Sequence, residues 1–105
     1  MHQYRVIVHY HFKNGMEKEA TKFLEEELLK TAKECKCQDI EVWYNEKNPM
    51  HTIGMALWDS LEDARRFQAK WEAKEKELMK YCSAPFQKEI FKVCSDFAKR
   101  FGKAA

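Results

Sequence analysis

Long apolar runs are missing from this sequence. No stretch approaches the roughly 18 residues that a membrane-crossing helix needs, so no membrane partner is expected. The opening residues do not read as an export signal, because Arg5, His9 and His11 interrupt the apolar stretch between Tyr4 and Phe12. A cytoplasmic location is expected. Charge of one sign is also scarce. Nineteen Lys and Arg against 17 Asp and Glu leave a net charge of +2, and the lysines are interleaved with glutamates. That balance is too even to imply a nucleic-acid partner, and none is expected. Only 3 glycines and 2 prolines occur, and no linker, low-complexity tract or internal repeat is visible. No base–nucleophile pair or other self-sufficient catalytic motif appears.

Cysteine is present, at positions 35, 37, 82 and 94, but in no framework. Without an export signal these residues are expected as thiols. Cys35-Lys36-Cys37 lacks the two-residue spacer of zinc knuckles and redox pairs, and no second pair completes it. No metal and no cofactor is expected.

The composition, 45% hydrophobic and 34% charged, is that of a folded globular chain. A length of 105 residues suits one domain. That domain is assigned to residues 1–94, with 95–105 as a C-terminal tail. Phe97, Ala98 and Phe101 recur there at helical spacing, which suits either a short amphipathic helix or a frayed end.

The chain is organised around His51-Thr52-Ile53-Gly54-Met55-Ala56-Leu57-Trp58, followed at once by Asp59-Ser60-Leu61-Glu62-Asp63-Ala64. It reads as a strand running into a helix. Ile53, Met55 and Leu57 alternate with Thr52, Gly54, Ala56 and Trp58, so one strand face is nearly bare until Trp58. A bare strip under a helix leaves volume in which a small molecule fits.

Before it, residues 4–12 form a β-branched and aromatic strand. Tyr4, Val6, Val8, Tyr10 and Phe12 share one face, and Arg5, Ile7, His9 and His11 the other. Residues 16–36 carry an apolar stripe of Ala20, Phe23, Leu24, Leu28, Ala32 and Cys35, which predicts a helix. Residues 39–44 are a second strand, joined to the third by the turn-forming run Asn45 to Pro49. Ser60 caps a second helix reaching about Tyr81, with Leu61, Ala64, Phe67, Trp71 and Leu78 on its buried side and a weaker patch at Lys74 and Glu75. Ser83-Ala84-Pro85 breaks it, and residues 86–93 form the fourth strand.

The order β-α-β-β-α-β defines an α+β, ferredoxin-like arrangement: one antiparallel sheet with two helices on one face. Its second face, with Ile7, Ile53, Met55 and Leu57, is too apolar to stay wet, so a homodimer stacked sheet to sheet is expected. His9 and His11 share that face, with His51 near them. Three imidazoles there raise the question of a metal, but no acidic fourth ligand is evident.

Specific residues in combination carry a family resemblance. Asn14-Gly15 precedes the first helix, Ala20 and Phe23 follow at fixed offsets, and Glu34 and Cys37 precede the second strand. Leu57-Trp58-Asp59-Ser60-x-Glu62-x-Ala64 closes the third strand and opens the second helix. Over residues 4 to about 93 the chain resembles the antibiotic-biosynthesis monooxygenase domain of the dimeric α+β barrel superfamily. The resemblance implies a homodimer, and a cavity in each subunit between sheet and helices. It implies oxidation of a small quinol or phenol by molecular oxygen without metal or flavin; other members degrade haem. Quinone-forming members carry an asparagine where Gly54 stands. Haem-degrading members need an asparagine at the position of Val8 and a histidine in the second helix, which this chain lacks, so haem degradation is disfavoured.

Carried onto this sequence, the cavity would be lined by Val6, Val8, Thr52, Gly54 and Ala56, with Tyr4, Tyr10 and Trp58 on the same faces. The Trp58 indole N–H is suited to hydrogen-bond a substrate oxygen, and Tyr4 or Tyr10 to accept or relay its proton. Phe67 and Trp71 would form an apolar lid. Core packing is the competing role for every one of these residues. If Phe23, Phe67 and Trp71 fill the space above Gly54 and Ala56, the chain is instead a ligand-binding or interaction dimer of the same fold.

Overall fold

A computed structural model describes residues 3–93. The tail assigned to 95–105, and Cys94, lie outside the described residues. The elements run β1 (Tyr4–His11), α1 (Glu17–Glu34), β2 (Asp39–Tyr44), β3 (His51–Trp58), α2 (Leu61–Leu78) and β4 (Gln87–Lys92), with a short 3-10 helix, Met79–Tyr81, after α2. The four strands form one antiparallel sheet in the order β2-β3-β1-β4. The α+β, ferredoxin-like reading of the sequence is the observed fold. None of the described helices is long and apolar enough to cross a membrane.

Each helix is delimited by local chemistry. Gly15, at φ +86°, turns the chain out of β1 into α1, a conformation glycine adopts without steric cost. Glu17 and Glu19 sit in the first turn of α1 and Lys33 in its last, matching the helix dipole. The helix ends two residues before Lys36. That lysine takes the left-handed region at φ +62°, and the Cys37 N–H donates back to the Ala32 carbonyl at 3.3 Å. A helix commonly stops on such a left-handed residue, although glycine is the usual occupant. At α2, the Ser60 Oγ accepts from the Asp63 N–H at 3.1 Å. After Tyr81, Lys13 N–H donates to the Tyr81 carbonyl at 2.7 Å and Ser83 N–H to the His11 carbonyl at 2.8 Å, tying the exit of α2 to the end of β1.

The core lies between the helices and one sheet face. Val8, Tyr10 and Phe12 of the first strand and its extension, Ala56 and Trp58 of β3, and Ala20, Leu24, Leu28, Ala64, Phe67, Trp71 and Leu78 of the helices form one buried cluster. Trp58 is fully enclosed. Burying an indole removes about 200 Å² from water, roughly 5 kcal/mol before ordering costs are subtracted. Phe23 packs only at the margin of this cluster.

The opposite face is open but uneven. Ile7, Ile53 and Leu57 are half-buried, whereas Met55 is only 1% exposed. An Arg5 N–H donates to the Met55 sulfur at 3.4 Å, so the long arginine stem shelters a side chain that alternation alone places at the surface. Replacing Ser60 by alanine removes the α2 cap and is expected to lower stability by about 1 kcal/mol, read as a lower urea midpoint with an unchanged m-value.

Candidate functional site

Gly54 and Ala56 leave a strip on the helix-facing side of β3, and neighbouring side chains lean into it. A Cβ placed on Gly54 would meet the Tyr10 ring at 3.4 Å and Leu28 at 3.5 Å. The space that survives is a hollow of about 20 Å³ between β1, β2, β3 and the two helices. It has room for one water or one diatomic molecule and not for an aromatic ring. Val6, Val8, Tyr10, Gly54, Ala56, Phe67 and Trp71 line it, as the face pattern anticipates, together with Leu28, Ile40, Met55 and Gln68.

Four of the residues singled out in the sequence lie elsewhere. Trp58 does not border the hollow; its ring packs on Phe67 at 5.1 Å, and Phe67 stacks on Trp71 at 6.0 Å. Tyr4 is half-buried at the start of β1, opposite Trp58 in the strand register. Thr52 is buried opposite Tyr10 in the same ladder. Phe23 sits beside Tyr81, 6.4 Å between ring centres.

Of the neutral donors buried in the helix-facing core, Trp71 lines the hollow, and Trp58 and Thr52 do not. The indole N–H groups of Trp58 and Trp71 and the Thr52 hydroxyl are buried without a hydrogen-bond partner among the described residues. Burial pushes the Tyr10 phenol well above the ordinary tyrosine range. The nearby Trp71 N–H opposes that shift without closing a well-formed hydrogen bond, and the Glu75 charge reinforces it. A tyrosine is protonated at neutral pH even at its ordinary value, and the shift makes the Tyr10 phenolate harder still to form.

Beside Tyr10 lies a group the periodicity did not mark out. Glu75 is buried on α2, and its Oε1 accepts from Gln68 at 2.6 Å and from the Lys88 ammonium at 2.8 Å. Its Oε2 also has that ammonium at 2.6 Å, outside hydrogen-bonding direction, so this second approach is an ion contact. The signal in the sequence was Glu75 at i+4 from Trp71, on the buried stripe. A charge there implies a partner from another element.

The histidines form a second polar cluster, on the open face. The Asn45 side-chain oxygen accepts from the Lys47 and Asn48 N–H groups at 2.9 and 3.0 Å, which fixes its amide nitrogen toward His51 Nδ1 at 3.2 Å. His51 Nδ1 must then accept, so Nε2 carries the proton and donates to His9 Nδ1 at 3.1 Å; His9 Nε2 in turn donates to Glu89 Oε1 at 3.2 Å. His11 stacks on His51 at 4.6 Å. The chain of donors uses the protons that neutral imidazoles carry. Among the described residues no group of three or more His, Cys, Asp or Glu is placed to hold a metal ion. A larger cleft of about 490 Å³ runs between α1 and the β2–β3 turn, lined by charged residues including Glu17, Lys18, Lys22 and Glu25 and by Tyr44. It is an open surface groove that shares no lining residue with the hollow.

No protein-family model matches the sequence, and no curated protein matches it. Solved structures do. An antibiotic biosynthesis monooxygenase superposes with a TM-score of 0.78 at 14% identity, covering 88% of this chain and 99% of the other. SnoaB, a cofactor-independent oxygenase from Streptomyces nogalater, gives a TM-score of 0.77 at 10% identity, covering 90% and 95%. A NIPSNAP family protein from Agrobacterium tumefaciens gives 0.70 at 19% identity, covering 90% and 95%. At such identities the likeness establishes the fold: this chain has the architecture of the antibiotic biosynthesis monooxygenases.

Burial and the neighbouring His11 and His9 lower the His51 pKa from its ordinary 6.5. As pH falls below about 6.5, the unfolded chain takes up a proton that folded His51 resists. Stability is therefore expected to fall with pH from there down through the lowered value, and His51 contributes nothing above it. Asn45→Asp keeps the turn acceptor but removes the donor. In a long-range ¹H–¹⁵N titration it is expected to raise the His51 pKa by about one unit or more; an unchanged value would remove the tautomer assignment.

Proposed function

We propose that this protein is a cofactor-independent monooxygenase acting on a small quinol or phenol, in the space between β1, β3 and α2. The observation that carries this reading is a pair of buried indole N–H groups without a hydrogen-bond partner among the described residues, that of Trp71 in the apolar wall of the hollow beside the Tyr10 phenol and that of Trp58 across Phe67 from it. Native proteins rarely leave such groups unsatisfied, and donors aimed at developing negative charge are a recurring means of catalysis. The fold shared with SnoaB supports the reaction class.

In this scheme the substrate binds as its phenolate, with Tyr10 or a tryptophan N–H donating to the oxygen. One electron passes to dioxygen, giving a substrate radical and superoxide. Their recombination forms a carbon–oxygen bond in a peroxide anion, which takes back the proton the phenol gave up on ionising, and loss of water from the resulting hydroperoxide leaves the quinone. The protein supplies orientation, dryness and hydrogen bonds. Phe67 and Trp71 must swing outward for a ring to enter, which assigns them the lid role.

A second reading has its own observation. Tyr10 and Leu28 already occupy most of the strip beside Gly54. Such packing favours a small-ligand-binding or interaction dimer without catalysis. Both readings include a homodimer formed through the open sheet face, where Trp43 and Phe91 remain 43% and 49% exposed. Sedimentation should return twice the chain mass; a monomer at all concentrations would remove the dimer.

An oxygen electrode with a panel of quinols separates the two. The enzyme reading expects uptake above buffer, falling about tenfold or more in Tyr10→Phe and Trp58→Phe. Rates equal to buffer, or unaffected by both substitutions, would leave the binding module.

A further inference from the structure

We propose that the three imidazoles of the open sheet face make the pairing of two copies of this chain pH-dependent, holding the dimer while neutral and releasing it once protonated. The inference rests on the homodimer proposed above. Register and alternation place His9 and His11 of β1 and His51 of β3 on one face, with Ile7 beside His9 and Ile53 beside His51 along the strands. A second copy that covers the apolar middle of the face therefore also takes these imidazoles out of water.

As neutral rings they suit that place. Asn45 donates to His51 Nδ1 at 3.2 Å, His51 Nε2 to His9 Nδ1 at 3.1 Å, and His9 Nε2 to Glu89 at 3.2 Å. Every ring nitrogen of His9 and His51 is thus in use, two as acceptors and two as donors. His11 lies nearly parallel to His51, with the planes 13° apart, and the His9 ring centre is 5.4 Å from that of His51.

A further proton breaks this order. On either His9 or His51 it must go to Nδ1, and that nitrogen already faces a donor. It also sets a positive charge against a stacked neighbour. Opposing charges are few. From β4, Glu89 reaches the cluster on the Nε2 side of His9, away from the new proton, and Gln87 opposite His9 is neutral. From β2, Asp39 and Glu41 share the face but stand level with Leu57 and Met55, and Glu41 already accepts from the Trp43 indole at 2.7 Å. The β2–β3 turn brings Glu46 and Lys47, one of each sign and both exposed. Arg5 of β1 adds another cation to the face. In a free copy water solvates the new charge and the rings can part, whereas under a partner they cannot. The dimer therefore binds fewer protons than two free copies. It is at full strength above the ordinary imidazole value of 6.5 and weakens as pH falls below it.

Sedimentation of the whole protein, with far-UV circular dichroism at each pH, tests this. From about pH 7.5 to about pH 5.5 the dimer dissociation constant is expected to rise roughly 100-fold at unchanged helix content. With His9→Gln, His11→Gln and His51→Gln combined, the rise should stay below about threefold. If that variant does not pair even at the higher pH, His11→Phe decides, since it keeps a ring on His51; it is expected to cut the rise several-fold. Glu89→Gln should keep the rise, because no carboxylate is the titrating group. A full rise in the deciding histidine variant would overturn the proposal. So would a rise abolished in Glu89→Gln, or helix content lost together with the dimer. A wild-type dimer of equal strength at both pH values removes the pH control and retains the homodimer, whereas a monomer at both removes the two together.

Discussion

Everything in this fold turns on how β1 and β3 share one face. Tyr10 pairs with Thr52 in the ladder and leans across Gly54, and that lean is allowed because Gly54 has no side chain. The ring then meets Phe86 edge-on at 5.1 Å and shares the core with Trp71 of α2. One missing side chain therefore decides where a phenol sits, how much of the strip stays empty and which helix residues complete the wall. The same burial that packs the ring also raises the pKa of its hydroxyl.

The sheet has two faces with different physics. Toward the helices, burial is nearly complete and polar groups are few and costly. On the other side, imidazoles, Glu89 and Asn45 pass hydrogen bonds from strand to strand, and the Arg5 stem shelters Met55. The first face carries the proposed chemistry. The second, still apolar in its middle, is where the proposed partner copy stacks.

Much of this was legible in the residues. Strands 39–44 and 51–58 fall where alternation and the Asn45–Pro49 turn signals place them, because β-branched runs bounded by turn formers leave little freedom. The inward positions of Val8, Tyr10, Ala56, Trp58, Phe67 and Trp71 follow from the periods of strand and helix. Three features did not. Alternation gives the side of the sheet but not the lean of a long side chain, so it left a larger space beside Gly54 than Tyr10 and Leu28 leave. Met55 is buried by a neighbour's aliphatic stem, which no pattern of polarity records. Glu75 reads as a break in an apolar stripe until β4 brings Lys88 to it, a pairing between residues 13 positions apart on different elements.

That pairing has a consequence for the edge of the sheet. β4 is a border strand, exposed along its whole length, with one side of its backbone unpaired within the chain. Lys88, Glu89 and Lys92 stud it, and Lys88 is anchored inward by a buried carboxylate. A strand from another molecule that docked there would have to desolvate these charges while α2 held one of them in place. The border that looks most open to sticking is thus the one guarded against fibril-like growth, by an acid on the second helix.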